Sequence, residues 1–120
     1  MAKILLIEDD EMISGMYKTK LLQDGYEIAL APNGIDAINM VEAEKPDLIL
    51  LDIIMPGLDG FSVLEDFRQN KKITVPIILL TNLGTDEDKK KGEDLGATGY
   101  LIKSSLTPGQ VSLEVKKYLQ

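Results

Sequence analysis

Residues 47–52 read Asp47-Leu48-Ile49-Leu50-Leu51-Asp52, four apolar residues bounded by acids. A run this short and this uniformly apolar fits a strand buried on both faces, as in the middle of a parallel sheet. Two further runs resemble it, KILLIE at Lys3–Glu8 and VPIILLT at Val75–Thr81. YEIALA (Tyr26–Ala31) and TGYLIK (Thr98–Lys103) are more mixed and suit strands nearer the sheet edges. Pro76 sits at the start of its run, where a missing donor is tolerated.

Between these runs the apolar period turns helical. Ile13, Met16, Tyr17 and Leu21 are expected to share one face, as are Ile35, Ile38 and Val41, and again Phe61, Leu64 and Phe67. Thr107-Pro108-Gly109-Gln110 forms a capping box with proline at the first helical position, ahead of a stripe of Val111, Val115 and Leu119. Thr85–Leu95 stands apart, because no apolar residue occurs between Asp86 and Asp94. Its acids precede its lysines, which suits a helix dipole, but little surface can be buried there. The order is strand–helix five times over, which implies an α/β fold: a doubly wound, five-stranded parallel sheet with helices on both faces. Three apolar strands and two mixed ones match the order 2-1-3-4-5, with the second and fifth at the edges. One domain over residues 1–120 is expected from the length. A chain this long buries roughly two-thirds of its unfolded surface and needs no disulfide or structural metal to fold.

Composition narrows the chemistry. Hydrophobic residues make up 44% and charged residues 28%, as in folded soluble proteins rather than disordered ones. Lys and Arg number 13 against 20 Asp and Glu, a formal charge of −7, so direct nucleic-acid or anionic-membrane binding is not expected. Cys and His are both absent. That removes thiol nucleophiles, imidazole bases, Ser–His–Asp triads and typical zinc sites. Carboxylates, hydroxyls, lysines and a hard oxygen-bound cation remain. Met1-Ala2-Lys3 and the four apolar residues that follow are neither a signal peptide nor a membrane span, which makes the cytoplasm the default compartment.

Ligands of open α/β sheets bind beyond the carboxyl ends of the strands. Here those ends are Glu8-Asp9-Asp10, Asp52, Thr81 and Lys103. Each has a plain reading by itself: a helix cap, a turn acid, a strand-end hydroxyl, a solvated lysine. Asp10 and Glu11 also suit the cap and first turn of the first helix. Four compatible groups on one rim are harder to assign to chance. Two carboxylates ~4 Å apart repel by about 4 kcal/mol at an effective dielectric of about 20, so Glu8, Asp9 and Asp52 invite a divalent cation such as Mg²⁺. Asp52 is then a candidate carboxylate nucleophile toward phosphorus, with Lys103 and Thr81 placed to meet phosphoryl oxygens.

The local sequence Leu50–Gly60, LLDIIMPGLDG, carries D-x-x-M-P-x-x-x-G from Asp52 to Gly60. With ILLIEDD at Ile4–Asp10, Thr81, and GYLIK at Gly99–Lys103, the chain resembles a receiver domain of the bacterial response regulators, over essentially its whole length. The resemblance implies the flavodoxin-like fold and a two-component phosphorelay. Asp52 would accept phosphate from a histidine of a sensor kinase or phosphotransfer protein, since this chain has no His. Asp9 would ligate Mg²⁺ directly, Glu8 through water, with Asp52 and the backbone carbonyl of Ile54 completing the protein's ligands. Lys103 would pair with the phosphoryl oxygens. Thr81 would swing toward them, and Tyr100 would turn inward with it as the switch aromatic. The face of the fourth helix, fifth strand and fifth helix would carry the output to a downstream target protein, the chain acting as a monomer or a phosphorylation-dependent dimer. No small-molecule turnover is implied beyond the domain's own phosphorylation and dephosphorylation.

Three positions depart from the family's pattern. Asn82 follows Thr81 where a small residue is usual, Ile54 sets an apolar side chain beside the metal position, and Ser104 follows Lys103 where a cis proline is common. A cis bond to a non-proline residue costs ~3 kcal/mol, so the Lys103–Ser104 peptide is expected to be trans. Other functions on similar topologies fit less well. Haloacid-dehalogenase-type phosphatases resemble one another in a D-x-D motif, and Ile54 stands where the second acid belongs. Flavin binding would set a phosphate against Glu8-Asp9-Asp10. A degenerate receiver would lack Asp52, Lys103 or the acid pair, and all are present.

Overall fold

The computed structural model describes residues 1–120. Five parallel strands, β1 (Lys3–Ile7), β2 (Glu27–Ala31), β3 (Leu48–Leu51), β4 (Ile77–Thr81) and β5 (Gly99–Ile102), lie in the order β2-β1-β3-β4-β5. They alternate with α1 (Glu11–Gln23), α2 (Gly34–Glu44), α3 (Gly60–Glu65), α4 (Asp86–Asp94) and α5 (Pro108–Leu119). This is the doubly wound, flavodoxin-like α/β arrangement that the apolar runs imply.

The two-residue period of a strand divides each apolar run between two cores. Leu5 and Ile7, Ile49 and Leu51, Ile77 and Leu79 face α2 and α3, where they meet Ala37, Val41, Phe61, Val63, Leu64 and Phe67. Ile4 and Leu6, Leu48 and Leu50, Ile78 and Leu80 face α1 and α5, where they meet Tyr17, Leu21, Val111 and Val115. Every residue of β3 and β4 is buried, whereas β5 is half-buried throughout and β2 opens on the exposed Glu27. Central and edge strands thus fall where the runs place them.

Helix starts follow the capping chemistry. The Asp10 carboxylate accepts from the amides of Met12 and Ile13, and Thr107 and Gln110 close both halves of the capping box at α5. Two expected faces are corrected. Ile35 is 61% exposed and Met16 is 45% exposed. In α2 the buried positions are Gly34, Ala37 and Val41, because small residues let the first turn approach the neighbouring backbone and the bulkier Ile35 rotates outward. α3 also continues into a π-helical turn, Asp66–Asn70, that the periodicity does not reveal.

α4 contributes little to either core. Its one buried residue is Gly92, and a Cβ built there would lie 2.6 Å from Leu79 Cδ1. Glycine lets the α4 backbone sit on β4 without interposed side chains. Leu95, Ala97 and Tyr100 flank it as partly buried neighbours of the α2–α3 core. No helix is long and apolar enough to cross a membrane.

Candidate functional site

The ladder itself brings two acids together. Asp52 follows β3 directly and its backbone N–H donates to Ile7 O at 3.1 Å, one residue before Glu8. Carboxylate oxygens of Glu8, Asp9 and Asp52 all lie within 4.8 Å of one another. Glu8 and Asp52 are 4% and 5% exposed, while Asp9 faces solvent. α3 is pressed against the same point: Gly60 N–H donates to Ile53 O at 2.9 Å, and a Cβ at Gly60 would fall 2.1 Å from Asp52 O. No side chain fits at position 60, which gives the last glycine of the D-x-x-M-P-x-x-x-G segment its physical reason.

Lys103, just past β5, reaches across the sheet end. Its Nζ donates to Asp52 Oδ2 at 2.8 Å and to Glu8 Oε1 in a second, shorter contact. Burial pulls the Lys103 ammonium down, but the hydrogen bonds and charges of Asp52 and Glu8 outweigh it, and its pKa stands above the ordinary lysine value. For Glu8, burial dominates and raises the carboxyl above its ordinary value, against the hydrogen bonds from Lys103 and the Asp10 backbone. Three carboxylates against one ammonium leave the cluster short of positive charge.

Other expected residues take their places nearby. Ile54 donates its backbone N–H to Asp52 Oδ1 at 3.2 Å and turns a 56% exposed side chain to solvent. Thr81 ends β4, fully buried, and its Oγ1 accepts from Leu83 N at 3.3 Å. Tyr100, half-buried on β5, donates its hydroxyl to Leu83 O. Burial, with Asp88 and Asp52 adding to it, pushes the Tyr100 phenol up to about 12. Thr81 and Tyr100 therefore meet at the backbone of Leu83, whereas Glu8, Asp52 and Lys103 are joined directly. The Lys103–Ser104 peptide is trans, as is every peptide bond of the chain.

Residues 4–112 match the family model for the response regulator receiver domain. The chain belongs to the response regulator receiver family. It is 39% identical over 98% of its length to the alkaline phosphatase synthesis transcriptional regulatory protein PhoP of Bacillus subtilis, and covers 48% of that protein. A second relative, the probable transcriptional regulator ycf27 of Guillardia theta, is 36% identical over 98% of the chain and covered to 45%. The chain thus spans about half the length of the curated relatives it matches. Among solved structures, the Vibrio cholerae chemotaxis protein CheY4 superposes with a TM-score of 0.91 at 32% identity, covering 99% of both chains. The BeF3-activated N-terminal receiver domain of Klebsiella pneumoniae RstA does so with 0.91 at 31% identity and 98% of both.

The receiver's oxygen donors suit a small hard cation, and their unbalanced charge gives one a reason to bind. One feature of the site is visible only in the fold. Asn82 Oδ1 accepts from the backbone N–H of Ser104 at 2.9 Å, tying the loop after Thr81 to the turn that begins at Lys103. The two positions were notable separately, and only the fold pairs them.

Proposed function

We propose that this receiver takes a phosphoryl group onto Asp52 from a phosphohistidine of a partner kinase or phosphotransfer protein and signals by altered partner affinity. The supporting observation is Lys103, whose ammonium bridges Asp52 and Glu8 inside a three-carboxylate cluster. An Asp52 carboxylate oxygen forms the new bond to phosphorus as the phosphorus–nitrogen bond of the donor breaks, and the leaving imidazole takes up a proton. Mg²⁺, held by Asp9, Asp52, the Ile54 carbonyl and, through water, Glu8, would supply charge neutralisation for the phosphoryl oxygens. Lys103 exchanges a carboxylate partner for a phosphoryl oxygen, and Thr81 turns its hydroxyl toward another. Since Thr81 and Tyr100 share Leu83, displacement of Thr81 is felt by the tyrosine. This reading confines the chemistry to the domain's own phosphorylation and dephosphorylation, with no small-molecule turnover.

The output is assigned to the α4–β5–α5 face, because α4 buries a single glycine and is the least anchored helix. The transcriptional names of the relatives turn the output toward gene regulation, with the DNA contact made by a basic effector segment and not by this acidic domain. A cytoplasmic location and dimerisation through the output face on phosphorylation complete the reading, and residues 1–120 act as one receiver unit. Acetyl phosphate with Mg²⁺ is expected to add one phosphate to the protein by intact mass and none to Asp52→Asn. An equal mass gain in both proteins overturns the assignment of Asp52. A Mg²⁺ titration addresses the metal: Asp9→Ala is expected to lose Mg²⁺ affinity at least tenfold, and an unchanged titration removes Asp9 from the site.

A further inference from the structure

We infer that Asn82 is a positioning residue for Lys103, acting through its side-chain hydrogen bond to the backbone N–H of Ser104. The inference rests on the phosphoacceptor reading of Asp52. The β4–β5 ladder has Thr81 opposite Ile102 as its last pair. Asn82 and Ser104 lie one and two residues beyond that pair, and the Asn82 Oδ1–Ser104 N bond of 2.9 Å adds a further cross-link, with a side-chain oxygen in place of a backbone carbonyl. Between Ile102 and Ser104 stands Lys103, at the head of a single 3-10 turn, Lys103–Ser105, closed by Leu106 N–H donating to Lys103 O at 3.3 Å. A turn of three residues has little rigidity of its own. The lysine's backbone is held on one side by the sheet and on the other by Asn82.

That restraint matters because Lys103 has a long, rotamer-rich side chain whose ammonium must stay at the sheet end to meet an incoming phosphoryl oxygen. Before transfer, Glu8 and Asp52 hold the ammonium directly. Once Asp52 spends an oxygen on phosphorus, one of those holds weakens and the backbone restraint carries more of the positioning. The same bond joins the Thr81 loop to the Lys103 turn, so the two groups expected to touch the phosphoryl move as one body. The donor is a main-chain N–H, so the bond is removed from the acceptor side, at Asn82.

The decisive measurement is the rate of phosphorylation by acetyl phosphate at saturating Mg²⁺ in wild type, Asn82→Ala and Asn82→Leu. It is read with Mg²⁺ affinity, thermal unfolding and Ser104 amide exchange. Loss of one hydrogen bond that positions a reacting partner is expected to slow transfer by roughly threefold to tenfold in Asn82→Ala. Mg²⁺ affinity and the unfolding midpoint should stay near wild type, and the Ser104 amide should exchange faster. Asn82→Leu, which keeps the bulk of the side chain and lacks the acceptor, should slow transfer as Asn82→Ala does, because both lose the same bond. A rate that is unchanged or faster in Asn82→Ala or in Asn82→Leu overturns the inference, as does an unprotected Ser104 amide in wild type. Failure of wild type itself to take phosphate at Asp52 defeats the functional reading instead, and the two failures are thus told apart.

Discussion

Two partly buried cations sit at opposite ends of the sheet and are held in opposite ways. Arg68, in the π-helical turn, donates to three backbone carbonyls, Gly96 O at 2.9 Å, Ile73 O at 2.8 Å and Val75 O at 2.9 Å, and to Thr98 Oγ1 at 3.1 Å. It lies near the amino ends of β4 and β5, and burial lowers its guanidinium below the ordinary value. Lys103, at the carboxyl ends, is held by two acids that raise its pKa despite burial. Neutral acceptors satisfy the arginine's donors and leave its positive charge without a counter-ion, so the group is fixed by hydrogen-bond geometry, which suits a structural clamp. The lysine's acids exceed it in charge, which suits a site whose partners must be exchanged. The contrast teaches that burial of a cation says little until its acceptors are known.

The contrast breaks if Lys103 turns out to be a clamp as well. Lys103→Met leaves Glu8 and Asp52 facing each other, and in metal-free buffer it is expected to cost about 3 kcal/mol, the magnitude for removing one partner of a buried pair. Millimolar Mg²⁺ should recover most of that loss, as urea unfolding with and without the metal would reveal. Arg68→Ala strands carbonyls that water must reach, at a cost of about 2 kcal/mol, and Mg²⁺ should return none of it. Equal recovery in both variants removes the distinction between the two ends.

Neutralising one acid sharpens the same point. In metal-free protein Glu8→Gln keeps an acceptor for Lys103 while removing a buried negative charge, and is expected to stabilise by about 1 kcal/mol at neutral pH. The sign follows from the raised Glu8 pKa. Its favourable contribution is present below the ordinary value of 4.5 and is lost as pH rises through the elevated folded value, a loss that Glu8→Gln does not suffer. The gain should therefore shrink toward zero on acidification. Lys103, also raised, acts at the other extreme: its contribution persists at and below 10.5 and is lost as pH rises through the higher folded value. Unfolding midpoints across pH for wild type and the two variants check both signs.

These comparisons also mark what the amino-acid order discloses. Sheet order and the meeting of Glu8, Asp52 and Lys103 at one rim were legible because they rest on side-chain type: uninterrupted Leu and Ile runs ending in Glu8, Asp52 and Thr81, with a mixed edge run ending in Lys103, can be buried and aligned in few ways. The Arg68 clamp and the Asn82–Ser104 bond were not. Their acceptors or donors are main-chain groups, which every residue carries, so nothing in the local sequence marks them. Ile35 misled for a related reason, since its apolarity is visible and the close approach at Gly34 that turns it outward is not.

A third cation tests the gradation between the two ends. Lys91, exposed on α4, places its Nζ 4.5 Å from the centroid of the Phe61 ring on α3, with no acid bonded to it. A cation over an aromatic face at an exposed site is worth about 0.5 kcal/mol. Lys91→Met should therefore hardly move global unfolding, the smallest effect of the series. Yet α4 buries only Gly92 of its own residues, so even this contact is a sizeable part of what holds the helix. Amide exchange across Asp86–Asp94 should accelerate in Lys91→Met while β3 and β4 stay protected, because α4 can open without disturbing either core. Exchange that rises equally in α4 and the central strands would instead make α4 an integral part of the fold, and an output face built on its looseness would lose its physical basis.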